Sequence, residues 1–170
     1  MDPQDQSGTP SPTHYYPNER VNMKVKTVAM DAEAKNPVMI LCDTKEYMYL
    51  PIWIGPFEAK GIMDALEGAI HPRPMTYDLF LTVMNTMGRT VSNVEIYDLQ
   101  EQTYLARLTL SDPGGVSACL EARPSDAVAL ALRSGAAIFV SKAVAERACI
   151  LDKSKIHDES TRLGGPVPIE

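Results

Sequence analysis

The sequence lacks the features that mark several classes of protein. Its 170 residues contain no hydrophobic run near the roughly 20 residues that a membrane-spanning helix needs. Residues 1–20 contain no apolar stretch of the kind found in secretory signals. The three cysteines, Cys42, Cys119 and Cys149, are widely spaced and form neither a CxxC pair nor a Cys/His cluster that would indicate zinc. We therefore expect a soluble, cytoplasmic protein with reduced thiols and no membrane partner.

Basic residues are also in the minority. The chain has 16 lysines and arginines against 22 aspartates and glutamates, which gives a net charge of −6. Proteins that hold nucleic acid stably usually present a basic surface, because neutralising the phosphates supplies most of the affinity. The composition argues against a stable nucleic-acid binder, and less strongly against an enzyme that contacts nucleic acid transiently.

The chain length suits one domain with two tails. Residues 1–20 carry four prolines among polar residues, and residues 152–170 end in a segment rich in glycine and proline. Neither segment can bury enough apolar surface to offset the entropy lost on ordering. We predict a disordered tail over 1–20, a domain over 21–151 and a flexible tail over 152–170.

Short apolar or alternating segments predict two groups of strands. A continuous apolar run predicts a strand buried on both faces at 38–42, with neighbouring strands at 21–30 and 47–54. Pro51 lies inside the last of these, so that strand should be an edge strand or be interrupted there. A three-strand meander is predicted over 93–122, and a short strand over 137–140.

Four helices are predicted between these strands. Gly55-Pro56 begins the first helix, and Thr76 begins the second as its N-cap. The third, over 125–134, is apolar nearly all round and should be buried, and Ser141 caps the fourth. The predicted core face of the second helix is Leu79, Phe80, Val83, Met84 and Met87. The unequal blocks of strands and helices predict an α+β fold, a single domain with a mixed or antiparallel β-sheet core and about four helices.

Four segments of the chain occur in an order that resembles a known family. They are Leu50-Pro51-Ile52-Trp53-Ile54-Gly55 with Glu58-Ala59; Arg73-Pro74-Met75-Thr76-Tyr77-Asp78-Leu79; Tyr104-Leu105-Ala106; and Ala122-Arg123-Pro124-Ser125-Asp126-Ala127 running into Leu130-Ala131-Leu132-Arg133. Their order and spacing are similar to those of the bifunctional nuclease domain. One such segment alone would carry little weight, whereas four in order are a specific match.

The resemblance implies a nuclease that acts on DNA and RNA, with nucleic acid as a transient partner. It also implies a homo-oligomer, with a dimer as the favoured form. One position departs from the family pattern, because the family usually has His where this chain has Tyr77. A tyrosine, with an ordinary pKa near 10, is a poor general base at neutral pH.

The matching segments contain the residue types that phosphodiester hydrolysis needs. Such hydrolysis commonly uses carboxylates that hold divalent metal ions, Mg²⁺ or Mn²⁺, together with arginines that bind the phosphate. No residue is assigned as a metal ligand. The candidate catalytic residues are Asp126, Asp78 and Glu58, and the candidate substrate-binding residues are Arg73, Arg123, Arg133 and Tyr77.

Each candidate also has a structural explanation. All three acids fall in the first turn of a predicted helix, where the helix dipole favours a carboxylate whatever the function. Arg73 and Arg123 each precede a proline and could instead bind loop carbonyls or a neighbouring acid. If the helix starts converge, they would present backbone N–H groups, acids and arginines to one anion.

Three further residues each have a structural and a functional explanation. Ser125 is expected to be an N-cap rather than a nucleophile, because no Gly-x-Ser-x-Gly motif surrounds it. His71 follows Glu67 by four residues and is either a solvated helix end or half of a metal pair. Trp53 either anchors the core or a subunit contact, or stacks on a base.

The sequence is also compatible with a second function. The protein could be a non-enzymatic binding or regulatory module that binds a small anionic ligand or a protein partner. The acidic balance, Tyr77 in place of the family's His, and the lack of a dedicated catalytic motif favour that alternative.

Overall fold

The computed structural model describes residues 20–152 and residue 154. The predicted tails over 1–20 and 152–170 lie outside this range, apart from Arg20, Asp152 and Ser154. Arg20 was predicted as the end of the N-terminal tail and instead begins the first strand. None of the described helices is both long and apolar enough to cross a membrane.

The order of strands and helices confirms the predicted single α+β domain. The helices are α1 (Pro56–Leu66), α2 (Thr76–Thr86), α3 (Pro124–Ser134) and α4 (Lys142–Ala148). The strands are β1 (Arg20–Met30), β2 (Pro37–Asp43), β3 (Met48–Trp53), β4 (Thr90–Gln100), β5 (Thr103–Ser111), β6 (Ser117–Ala122), β7 (Ala137–Ser141) and β8 (Ile150–Leu151).

All the strands belong to one mixed sheet in the order β6-β5-β4-β7-β1-β2-β3-β8. Neighbouring strands are antiparallel except β4 and β7, which are parallel. Parallel strands require a crossover connection, and here α3 supplies it after β6. β2 is buried along almost all its length, as its continuous apolar sequence predicts. Pro51 does not interrupt β3, because β8 pairs only with Met48 and Tyr49 and so leaves Pro51 on an edge where no ladder hydrogen bond is lost.

Helix α3 is the centre of the molecule and positions the site. It contacts strands β4, β5 and β7 and also helices α1 and α2, so its side chains are covered on nearly every side. Its buried apolar residues are Ala127, Val128, Ala129, Leu130 and Ala131. The alanines allow close approach on several faces, and Gly135, with φ of 72°, ends the helix in the left-handed conformation.

The predicted core face of α2 is wrong in four of its five positions. Only Met84 is buried, whereas Leu79, Phe80, Val83 and Met87 are between 45% and 74% exposed. The helix instead packs against the core through Tyr77, Leu81 and Met84. The periodicity of the sequence identified an apolar stripe on α2. It does not determine whether that stripe packs against the core of this chain or lies on its surface.

Two predicted helix caps also differ from the structure. The N-cap of α2 is Met75, one residue before Thr76. The N-cap of α3 is Arg123, so Ser125 lies inside the first turn and is buried. In α4 the prediction is confirmed, since the Ser141 side chain accepts a hydrogen bond from the Val144 N–H at 3.2 Å.

Candidate functional site

The starts of helices α1, α2 and α3 meet around one arginine. Arg123 donates from Nε to Asp126 Oδ2 at 2.7 Å and from Nη2 to Asp126 Oδ1 at 3.2 Å. Its Nη1 atom lies 2.8 Å from Glu58 Oε1. A hydroxyl from α2 completes the group, because Tyr77 donates to Asp126 Oδ1 at 2.8 Å. Glu58, Tyr77, Arg123 and Asp126 are called the Arg123 cluster below.

The position of Glu58 depends on a glycine. Glu58 lies in the first turn of α1 and its side chain folds back over Gly55, the N-cap residue. A Cβ atom at position 55 would collide with Glu58 Oε2. Glycine at this position therefore lets the carboxylate reach back towards Arg123.

Tyr77 is held on its ring as well as on its hydroxyl. A Cβ atom at Gly61 of α1 would lie 2.6 Å from Tyr77 Cε2, so the ring packs directly against the glycine. Burial, and then the hydrogen bond to Asp126, raise the pKa of Tyr77 well above its ordinary value. Tyr77 therefore keeps its proton at neutral pH and orients Asp126 rather than acting as a base.

A second group of contacts is centred on Arg133, which is more deeply buried than Arg123. Arg133 donates to Asp78 Oδ1 at 3.1 Å, to the Gly61 carbonyl at 2.8 Å and to the Ala129 carbonyl at 3.0 Å. Its side chain is only 12% exposed. The other Asp78 oxygen accepts the Met75 N–H at 2.9 Å. Asp78 and Arg133 are thus both engaged in holding the three helices together, and we call this group the Arg133 cluster.

Two of the singled-out residues lie apart from both clusters. Arg73 is exposed in the connection between α1 and α2 and contacts no charged or polar group among residues 20–152. His71 pairs with Asp64, 3.0 Å away, rather than with Glu67. Asp64 also binds Lys60 at 3.0 Å, so His71 belongs to a surface ion-pair group at the end of α1.

An open cavity of roughly 350 Å³ adjoins Arg123. Its lining combines the end of β3, the β4–β5 turn and the start of α3, and includes Trp53, Gln102, Tyr104, Arg123 and Ser125. Trp53 is 55% exposed, which excludes the predicted role as a core anchor. Its indole N–H nevertheless donates to Asp31 Oδ2 at 2.8 Å, so the exposed ring is held in place.

Sequence reasoning missed the residues that position others. Asp31 was not singled out, although its carboxylate also accepts the N–H groups of Glu33 and Ala34, and these bonds with that of Trp53 lower the pKa of Asp31. Gly61 was not singled out either. A glycine inside a helix, at a cost of about 1 kcal/mol relative to alanine, is the one signal in the sequence that pointed to it.

The electrostatics of the Arg123 cluster favour a permanently charged arginine beside two acids. The hydrogen bonds and charges of Asp126 and Glu58 raise the pKa of Arg123 further above its ordinary value. The Arg123 side chain is nevertheless 65% exposed, so a ligand can reach it. Within the described residues no group of three or more His, Cys, Asp or Glu side chains is placed to hold a metal ion. The site therefore consists of two carboxylates, one exposed cation and an adjoining cavity.

Comparison with known proteins gives a consistent match. A family model described as the bifunctional nuclease domain matches residues 39–153. An uncharacterized protein of Mycobacterium tuberculosis is 37% identical over 139 residues, which cover 82% of this chain and 82% of that protein. Bifunctional nuclease 1 of Arabidopsis thaliana is 30% identical over 115 residues, 66% of this chain but 35% of its own length. Bifunctional nuclease 1 of Oryza sativa subsp. japonica is 26% identical over 117 residues, again 35% of its length.

Proposed function

Because the chain belongs to the bifunctional nuclease domain family, we propose that it is a nuclease that hydrolyses phosphodiester bonds in DNA, RNA or both, with low sequence specificity. The observation that carries this proposal is the position of Arg123. It is clamped between Glu58 and Asp126, yet it is largely exposed beside a cavity. The names of the plant relatives, which match over part of their length, support the same activity.

Arg123 binds the scissile phosphate in this proposal. A guanidinium has five N–H donors in a planar fork. The contacts to Asp126 and Glu58 use one N–H on each of the three nitrogens. The remaining N–H on each terminal nitrogen would donate to the phosphate oxygens, and these hydrogen bonds would stabilise the charge that develops during hydrolysis.

Glu58 activates the attacking water in this proposal. Its Oε1 atom faces Arg123, whereas Oε2 accepts no hydrogen bond from the described residues. A free carboxylate oxygen beside the phosphate site can accept a proton from water. Asp126 accepts hydrogen bonds from Arg123 and Tyr77 through its two oxygens, and these contacts hold Arg123 in the orientation that the phosphate requires. Oδ2 has Arg123 Nε as its one hydrogen-bond donor among the described residues and keeps a lone pair for a further ligand.

A divalent cation is compatible with these acids. Mg²⁺ prefers oxygen ligands and commonly binds one or two carboxylates together with substrate phosphates and water. Glu58 and Asp126 are the pair that would hold Mg²⁺ or Mn²⁺ here, in company with the substrate. Such an ion would supply Lewis-acid stabilisation of the phosphate.

The other candidates take supporting positions. Arg133 and Asp78 join the last turn of α3 to the first turn of α2, and the bond from Arg133 to the Gly61 carbonyl joins both to the middle of α1. Arg73, which is exposed and has no ion pair with a described residue, would contact a more distant phosphate of a longer strand.

The decisive experiment is cleavage of labelled single- and double-stranded DNA and RNA, with and without Mg²⁺ or Mn²⁺. Arg123→Ala and Asp126→Asn should each abolish cleavage while the thermal melt remains cooperative. Arg147→Ala is the matched control, because Arg147 is an exposed arginine on α4 that lies outside both clusters. Cleavage that persists in both cluster variants would show that the site is wrongly assigned or that the activity is a contaminant.

A non-enzymatic binding module is the second candidate. It is favoured by the ion pairs of the Arg123 cluster, in which both acids already bind the arginine. The net charge of −6 favours it as well. In that case the cavity would bind a small anionic ligand or a protein partner without turnover. Absence of cleavage by the wild type under every metal condition would favour this candidate.

We further propose that the protein is a cytoplasmic homodimer. The exposed apolar residues Leu79, Phe80, Val83 and Met87 form the α2 stripe, and Asp78 is the only charged residue of that helix. Uncharged apolar surfaces of this kind are typical of contacts between subunits, and a stripe packed on its symmetric copy makes a closed, self-complementary interface. Three free cysteines among the described residues fit a reducing compartment.

A further inference from the structure

The cavity beside Arg123 has a feature that phosphodiester hydrolysis alone does not explain. Trp53 is the single tryptophan of the chain, and it exposes 55% of its surface at the end of β3. An exposed indole would ordinarily be free to rotate, but the bond from its N–H to Asp31 holds this one. A large aromatic surface that is kept exposed and oriented is suited to stacking by a planar ligand.

The rest of the lining suits a planar heterocycle. Ile52, Ile54 and Tyr104 add apolar and aromatic surface, and the volume of roughly 350 Å³ lies in the usual range for small-ligand sites. Gln102 lies in the β4–β5 turn at φ of 65°, and its amide accepts and donates no hydrogen bond among the described residues. A side-chain amide can both donate to and accept from the edge of a nucleobase.

Phosphate and base positions are adjacent in this arrangement. Arg123 and Ser125 form one wall of the cavity that Trp53 and Tyr104 also line. A nucleotide is a planar base joined by a sugar to a phosphate, so one nucleotide can contact Trp53 and Arg123 together.

We infer that the cavity binds one unstacked nucleobase of a single-stranded nucleic acid, with its base on Trp53 and its phosphate at Arg123. This inference rests on the proposed nuclease function and makes the site selective for single strands. In a duplex both faces of a base are covered by its neighbours, so its ring cannot reach Trp53 unless it is extruded. Stacking on an aromatic ring tolerates every base, which agrees with low sequence specificity.

The fluorescence of Trp53 reports directly on this contact. Wild-type protein is titrated with a single-stranded DNA of about eight nucleotides, a length within the range of single-strand sites, which carries phosphorothioate linkages to slow cleavage. The same sequence as a duplex, thymidine monophosphate and inorganic phosphate are the other arms. We expect quenching by the single strand, weaker quenching by the mononucleotide, and none by duplex or phosphate.

Variants test the contact through a labelled oligonucleotide and its anisotropy. Trp53→Ala should weaken single-strand binding by about 5- to 140-fold, the range that base stacking on an aromatic side chain contributes. Trp53→Phe should restore part of the affinity, which would exclude misfolding as the cause. Phe57→Ala is the matched control, because Phe57 is an exposed aromatic residue outside the cavity, and it should bind like wild type.

The outcomes separate the inference from the proposed function. Quenching by the single strand without cleavage would retain the base site and overturn the nuclease. Cleavage of single strands that is unchanged in Trp53→Ala would retain the nuclease and overturn the base site. Equal quenching by duplex and single strand would overturn the selectivity for single strands.

Discussion

The Tyr77 hydroxyl donates a 2.8 Å hydrogen bond to Asp126 Oδ1, 49 residues further along the chain. Asp126 binds Arg123 through both of its oxygens, so this bond ties the start of α2 to the cluster formed by α1 and α3. Tyr77 therefore acts as a hydrogen-bond donor to the acid. It does not act as a base near neutral pH, because burial and the hydrogen bond to Asp126 raise its pKa.

Removing the Tyr77 hydroxyl should disturb the orientation of Asp126 while the chain still folds. In Tyr77→Phe the ring still packs on Gly61, so the loss of one hydrogen bond to a charged acceptor should lower the free energy of unfolding by about 1.5–3 kcal/mol. We expect kcat for cleavage to fall about tenfold with little change in KM, because Asp126 loses its second partner. Tyr77→His, whose ring N–H can also donate, should recover most of the activity. A Phe variant as active as wild type would contradict the orienting role.

Gly55→Ala should displace Glu58 without unfolding the chain. The backbone of Gly55 is extended, with φ of −75°, so alanine is sterically allowed there. The new Cβ would collide only with the flexible end of Glu58, so stability should change by less than about 1 kcal/mol. We expect cleavage to fall as far as in Glu58→Gln, measured with the same labelled substrate. If Gly55→Ala keeps full activity while Glu58→Gln does not, the folded-back position of Glu58 is not the active one.

Arg133 and Arg73 should differ sharply in their effect on stability. Arg133→Gln removes the hydrogen bonds that Arg133 donates to Asp78 Oδ1 and to the Gly61 and Ala129 carbonyls, and we expect a loss of about 2–3 kcal/mol in the free energy of unfolding measured by urea denaturation. Arg73→Gln, at an exposed position with no partner among the described residues, should change stability by less than about 0.5 kcal/mol. Equal effects from the two substitutions would show that the contacts of Arg133 are not structural.

Acidification should destabilise the protein in part through Glu46. Hydrogen bonds from Lys26 and Lys24 lower the pKa of Glu46 from 4.5 to about 2. A depressed folded-state pKa means that the ionised form stabilises the fold above the unfolded value, and that this contribution is lost as pH falls from about 4.5 to about 2. Glu46→Gln should flatten the dependence of Tm on pH within this window. Glu67→Gln is the control, since Glu67 is exposed and pairs with no described basic side chain, and it should leave the dependence unchanged.

The α2 stripe should control the oligomeric state. Val83→Asp places a charge in the centre of the stripe, so sedimentation equilibrium should change from the mass of a dimer to that of a single chain. Val116→Asp is the matched control, because Val116 is 59% exposed outside α2. A wild type that sediments as one chain, or a Val83→Asp variant that remains dimeric, would rule out this interface.

What the sequence determined by itself was local. Continuous apolar residues predicted β2, the nearly all-apolar segment predicted a buried α3, and Ser141 predicted the start of α4. These features depend on the periodicity and hydrogen bonding of residues a few positions apart. The four matching segments also identified the family, because their residues and order can be compared without knowing where they lie in space.

What only the tertiary structure decided was which groups meet. Each of the three acids begins a helix, so their sequence contexts do not distinguish them, yet Glu58 and Asp126 share Arg123 while Asp78 faces Arg133, 55 residues away. The fold likewise exposed most of the apolar face of α2 and left Trp53 beside Arg123. Such pairings depend on how strands and helices distant in sequence pack, and a side chain's partners are set by that packing rather than by its neighbours in the chain.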